Sequence, residues 1–258
     1  MLTVYLFQQF MVDRDNLERR TTDHGRVYTD FEDLYLPSVS TVLDQTPEPE
    51  GLKQWKKNFD GTGGKPHWED ILMYKANRGT LIHYRLLNGL LDGDMHGPEE
   101  ANSESKLRDS DNWERYKEDL SFAVDAWQEI KQSRGITQDN VLDMECFVTN
   151  TDLGYAGQFD LLYIDKDGQV VLADLKTSKR IYPKHKKQLV AYDNALNLDT
   201  DMLEIIRIHP DTQTWETSHS TEWLENREEL YEQFAELRKS MDNVDEEFRE
   251  IAKDGRKG

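Results

Sequence analysis

The 258-residue chain carries one cysteine, Cys146. A lone thiol excludes an intramolecular disulfide, a four-cysteine zinc site and a cysteine-held iron–sulfur cluster, and the reading for Cys146 is buried and inert. No apolar run approaches the roughly 20 residues needed to span a bilayer. Met1 to Val12 is apolar-rich but lacks the basic start and small-residue cleavage site of a secretory leader. The expectation is a soluble, intracellular (cytoplasmic) protein with no membrane partner. Apolar residues are sparse at 36%, yet above the disordered regime. Six Trp, eleven Tyr and nine Phe argue for a packed interior. No internal repeat is visible, and the length suits one large domain, or a domain with a subdomain.

Basic residues are also in deficit, 32 against 51 acids, for a net charge of −19. An acidic solvated surface, adaptation to a very salty interior, and repulsion of nucleic acid all fit that number. At about 1 M salt the Debye length is roughly 3 Å, so only local charge would then reach a bound strand.

Along the chain, residues 1–12 read as a strand or irregular extension, and 13–35 as polar and charged. Ser38 is a candidate N-cap for a short helix, and the segments 46–51 and 56–66 read as loops. Residues 68–91 have helical apolar spacing (Ile82, Leu86, Leu90), with Gly79 a candidate break. Residues 92–111 read as a polar surface insertion, and 111–134 as a second long helix. The period then changes: 141–149, 158–165, 169–176 and 202–209 read as strands, 186–197 as a helix, and 222–250 as acidic C-terminal helices. The order gives an α/β (α+β) domain around a central sheet.

The most informative stretch runs from Gly157 to Lys176. Lys166-Asp167-Gly168 suits a three-residue hairpin loop with glycine in the left-handed position. Asp165 then faces Gln169, and five steps further along each strand Asp160 faces Asp174. Opposed residues share a face with Cβ atoms about 4.5–5.5 Å apart, and Lys176 joins that face by alternation. Two carboxylates that close repel unless a cation or proton sits between them. Hard oxygen donors point to Mg²⁺ or Mn²⁺. A two-residue Asp167-Gly168 turn would shift the register and break the opposition.

With these residues the sequence resembles the PD-(D/E)XK nuclease superfamily, in particular its RecB-like exonuclease branch. Gly157-Gln158-Phe159-Asp160 and Asp174-Leu175-Lys176 match the paired acidic motifs, and Gln188-Leu189-Val190-Ala191-Tyr192 matches the Gln-x-x-x-Tyr motif. His83 matches the upstream helical histidine, and Glu145 stands where such nucleases often carry an acid. The segment Leu36 to Ser40 is similar to an early stretch of phage-type members. The resemblance implies a restriction-endonuclease-like mixed sheet flanked by helices, with a 1–35 N-terminal extension, a 36–258 nuclease domain, and helical N- and C-terminal additions. It implies that His83, Asp160, Asp174 and the backbone carbonyl of Leu175 hold the metal, that Lys176 stabilises charge or orients water, and that Gln188 and Tyr192 position water or phosphate. Glu145 is left between a supporting and a second-metal role. The branch's iron–sulfur members need several cysteines, so no cluster is expected. Composition adds a high-salt origin, and with the resemblance it implies a halophilic archaeon or its virus.

One local feature points to nucleic acid independently. Lys179, Arg180, Lys184, Lys186 and Lys187 follow Lys176 within a dozen residues of an otherwise acidic chain, among Tyr182 and Tyr192. Cations bind phosphates and aromatics stack on bases, whereas basic residues at a helix start oppose the helix dipole. The expectation is a metal-dependent nuclease on single- or double-stranded DNA in recombination, repair or viral genome processing, with a possible recombination or replication partner protein. The competing readings are a non-catalytic nucleic-acid-binding or assembly protein on the same fold, and an acidic interaction protein that mimics DNA charge. His83 as a packed helix histidine and Ser38 as a plain cap are the bland alternatives at those positions.

Overall fold

The computed structural model describes residues 17–22, 25–29, 35–90, 107–196, 198–218, 223 and 226–241. The segments 1–16 and 242–258 and most of the 92–111 insertion lie outside these, with the expectations that fell on them. The architecture is α+β. A five-stranded sheet runs β4(Val141–Asn150), β5(Tyr155–Ile164), β6(Val170–Lys176), β7(Met202–His209) and β8(Thr214–Ser218) in that spatial order. It is antiparallel except for the parallel β6–β7 pair. Its parallel step is made by a right-sized crossover through helix α5(Pro183–Ala195).

Both sheet faces are covered. On one side α3(Trp68–Asn88) and α4(Trp113–Arg134) bury Ile82, Leu86, Trp127 and Ile130 against Leu161, Ala173 and Ile206. On the other, α1(Val39–Leu43), α5 and α6(Arg227–Ser240) bury Val39, Leu189 and Phe234 against Leu162, Leu172 and Leu203. This double cover explains why β6 reads as a nearly continuous apolar run. Arg78, 2% exposed, ties the helical layer together through Asp119 of α4 at 3.2 Å and Asp211, just past β7, at 2.6 Å.

Ser38 caps α1 as expected: its hydroxyl accepts from the Thr41 N–H at 3.1 Å. Gly79 does not break α3, which is one helix; a Cβ there would lie 3.3 Å from Thr177 Oγ1, so the glycine marks where the helix descends onto the end of β6. Three segments differ from the expectation, the edge strand β8 among them. Residues 13–35 are more than a polar extension: β1(Glu18–Thr22), β2(Gly25–Thr29) and β3(Tyr35–Pro37) form a second, antiparallel sheet, and β3 straddles the expected 35/36 boundary. The Ser38–Ala156 bridge joins this sheet to the start of β5. A helix, α2(Glu50–Asn58), overlaps the end of the expected 46–51 loop and the start of the expected 56–66 loop and spans the stretch between them, and none of its residues is buried. Cys146 is buried, and its thiol donates to the Phe147 carbonyl at 3.3 Å. No helix among the described residues is long and apolar enough to cross a membrane.

Candidate functional site

The hairpin has the expected register. Asp165 N–H donates to the Gln169 carbonyl at 2.9 Å, and Gly168 has φ +82°, a left-handed conformation that costs glycine little. Asp165 Oδ1 accepts from the N–H groups of Asp167 and Gln169, both at 2.9 Å. The ladder then counts through Leu161 opposite Ala173, and the same count would bring Asp160 opposite Asp174 next. Here the backbone ladder stops. Instead of a β5 carbonyl, the Leu175 N–H meets the Asp160 Oδ2 at 2.6 Å. The carboxylate therefore replaces a lost ladder bond and is fixed by it.

Three elements converge on Asp160. His83 projects from α3 with Nδ1 3.5 Å from Asp160 Oδ1. Glu145 sits on β4 between the pairs Met144–Leu161 and Cys146–Phe159, beside Asp160. Donor atoms of His83, Glu145 and Asp160 all lie within 4.8 Å of one another. This is one imidazole nitrogen and two carboxylate oxygens in a compact set, a donor chemistry that fits a divalent cation. Asp174 stands outside that set. Its Oδ2 is buried without a hydrogen bond and rests against the Lys176 ammonium. The ladder keeps the register that the expectation of two opposed acids requires and ends one pair short of them, while His83 and Glu145, rather than Asp174, complete the tight cluster with Asp160.

The electrostatics separate the two aspartates. Burial pushes Asp160 up, but the charge and hydrogen bond of His83, then Lys176 and the Leu175 N–H, outweigh it and hold its pKa low. Asp174 is only 1% exposed. Burial drives its pKa up to about 6, the charge of Asp160 adds to that, and Lys176 opposes it. Burial alone would depress His83, but Asp160 raises it above the usual histidine value.

Tyr192 roofs the site from α5. Gln188 Nε2 donates to its hydroxyl at 2.7 Å, and burial with the nearby Asp174 charge holds the phenol well above its ordinary pKa. Gly157 is what admits the ring: a Cβ there would fall 2.3 Å from Tyr192 Cε1 and 3.3 Å from Val39 Cγ2. The expected basic residues divide. Lys179, Arg180 and Lys184 are exposed, and Lys184 lies near enough to His185 to help Lys176 and burial depress its pKa to about 3. Arg180 sits 5.1 Å over the Tyr182 ring. Lys186 points instead to the Trp223 ring, 5.8 Å away, and Lys187 is half-buried beside it on α5.

The sequence reading missed the contribution of the N-terminal sheet. Tyr28 of β2 hydrogen-bonds with Arg26 and feels both Arg19 and Glu145, while Arg19 of β1 donates to Gln158 at 2.9 Å. Gln158 was visible only as a letter inside the Gly157–Asp160 motif. Arg19, Arg26 and Tyr28 carry no spacing signal, because a lone polar hairpin looks like any charged surface.

No protein-family model and no curated protein sequence matches this chain. Among solved structures, one titled "Crystal structure of SSO0001" is similar over 60% of this chain and 84% of its own, at 15% identity and a TM-score of 0.28. A likeness that weak carries no argument about fold or function.

Proposed function

We propose that this chain is a metal-dependent DNA nuclease that hydrolyses phosphodiester bonds, acting as an exonuclease in recombination, repair or viral genome processing. The observation that carries the reading is the His83–Glu145–Asp160 cluster set beside a buried Asp174–Lys176 pair. The sequence resemblance to PD-(D/E)XK nucleases, whose restriction-endonuclease-like sheet fits the mixed α+β core, supports it.

His83, Glu145, Asp160 and, after turning from Lys176, Asp174 would hold Mg²⁺ or Mn²⁺, together with the Leu175 carbonyl. The imidazole tilts the donor set toward Mn²⁺. Such a cation, when bound, polarises a phosphodiester oxygen and acidifies water. The protein's own groups do the rest. Lys176 places a positive charge where negative charge builds on the phosphate. The linked Gln188 amide and Tyr192 hydroxyl offer one oriented hydrogen-bonding unit to a phosphate oxygen or a water. Lys179, Arg180 and Lys184 give the backbone of a strand a local positive surface in a chain of net charge −19.

The test is degradation of end-labelled single- and double-stranded DNA, with and without Mg²⁺ or Mn²⁺, from low to molar salt. The wild-type protein should cut only with metal, and Asp174→Ala and Lys176→Ala should lose cutting while keeping the wild-type circular dichroism spectrum. Equal cutting by both folded variants would remove this mechanism.

A further inference from the structure

Glu145 has φ +48° in the interior of a strand. A non-glycine residue there is strained and persists only when its surroundings over-determine it. The pairs on either side, Met144–Leu161 and Cys146–Phe159, keep the same count, yet the first packs on one face of the sheet and the second on the other, so the backbone changes face at Glu145. A side chain holds the carbonyl at that point. Gln158 of β5 donates its Nε2 to the Glu145 carbonyl at 3.0 Å, while its Oε1 accepts from Arg19 Nη1 at 2.9 Å. An amide has one acceptor end and one donor end. The cationic donor Arg19 therefore fixes which way the Gln158 amide points and keeps its NH₂ on the Glu145 carbonyl. The bonds run from β1 through β5 to β4, and they end on the backbone of the residue whose carboxylate meets His83 and Asp160.

We propose that Gln158, oriented by Arg19, is a positioning residue: it holds Glu145 in the left-handed conformation that aims its carboxylate into the metal cluster. The inference rests on the metal reading above and adds a role for the N-terminal sheet in building the site. Loss of the Gln158 donor lets Glu145 relax to an ordinary strand conformation, which in a strand turns the side chain away from its present face. Gln158 contributes nothing to binding except through Glu145.

The experiment is Mn²⁺ binding by calorimetry to the full chain, with thermal unfolding of the metal-free proteins alongside. Gln158→Leu should weaken Mn²⁺ by about tenfold or more, the range for residues that orient metal ligands, and Arg19→Met should weaken it in the same direction but less. In a Glu145→Ala background, Gln158→Leu should cause no further loss, because the two act as one unit. Wild-type Mn²⁺ affinity in folded Gln158→Leu and Arg19→Met would overturn the proposal, as would losses that add in full in the double variant. Should Gln158→Leu not fold, Arg19→Met and its Glu145→Ala double variant decide by the same criteria. Absence of Mn²⁺ binding in the wild type would overturn the metal reading itself, and this inference with it.

Discussion

Replacing Asp174 by asparagine should stabilise the metal-free protein while destroying its site. The carboxyl is 1% exposed, and its pKa is raised from the ordinary 3.8 to about 6, by burial first and by the Asp160 charge in addition. A group that holds its proton more tightly folded than unfolded favours the fold at low pH. That advantage is lost as pH rises from about 4 through about 6, so above pH 6 the buried charge is a standing cost. A shift of this size corresponds to about 3 kcal/mol. Asp174→Asn removes the cost with little change of shape. The attraction of Lys176, whose side chain is 17% exposed, already opposes the rise and is contained in it. The net gain is about 3 kcal/mol at pH 7.5 and about 1 kcal/mol at pH 4.5. For a chain of this length the gain at pH 7.5 is a rise of about 6–12 °C in Tm. The assay is thermal unfolding followed by circular dichroism in EDTA at both pH values, then with Mn²⁺ added. The variant should melt above the wild type at pH 7.5 without metal, and Mn²⁺ should raise the wild type more. A wild type that equals or exceeds the variant at pH 7.5 in EDTA, or a gap that ignores pH, would refute the placement of a charged, metal-free Asp174 in a dry site.

Two further substitutions test the frame around the site. Gly157→Ala puts a methyl 2.3 Å from Tyr192 Cε1, and should cost about 1–3 kcal/mol as overpacking; a denaturation midpoint unchanged from wild type would show that Tyr192 does not lie on β5. Arg78→Ala leaves Asp119 and Asp211 without their buried partner, and should cost about 3–5 kcal/mol, read by urea unfolding; a loss under 1 kcal/mol would mean that the helical layer is held by its apolar contacts alone.

The double-covered strands and the long helices were legible because burial on both faces leaves no freedom in residue type. Met202–His209 was read to the residue, and the β5–β6 register followed from Gly168 and a count along two strands. Of the missed elements, β1, β8 and α2 bury little, whereas β2 and β3 bury Val27, Tyr28 and Leu36 in runs too short to show a period. β8 is an edge strand of Thr214, Trp215, Glu216, Thr217 and Ser218 with no fully buried residue, and β1 spells Glu-Arg-Arg-Thr-Thr. Edge strands take their order from a neighbour's backbone, which local composition does not record. At the site, Asp160, Asp174 and Lys176 were legible because acids in mid-strand are disfavoured. The left-handed Glu145 was not, since its conformation depends on Gln158 and on Arg19, 126 positions earlier in the chain than Glu145.

The position of the site follows from how β6 changes partners. Along β6, residues alternate in whether their N–H and C=O groups face β5 or β7, since a hydrogen-bonded pair exchanges both bonds with the same neighbour. Asp165 and Gln169 hold such a position at the loop end, with the Asp165 N–H on the Gln169 carbonyl and the Gln169 N–H on the Asp165 carboxylate. In steps of two, Tyr163–Val171 and Leu161–Ala173 do too, and the next residue of β6 to face β5 is Leu175. The β5–β6 ladder stops before it, while the parallel pairing with β7 continues through Lys176. Leu175 is therefore left with both backbone groups aimed into the gap that opens between the strands. Asp160 satisfies the N–H. By the same alternation the Leu175 carbonyl faces the β5 side, the strand that carries Asp160. A sheet that kept its ladder would have used up both groups. The divergence of β5 from β6 is thus what frees the Leu175 backbone for Asp160, and the buried Asp174, on the non-hydrogen-bonded position just before it, needs a counter-charge such as Lys176 to be tolerated there.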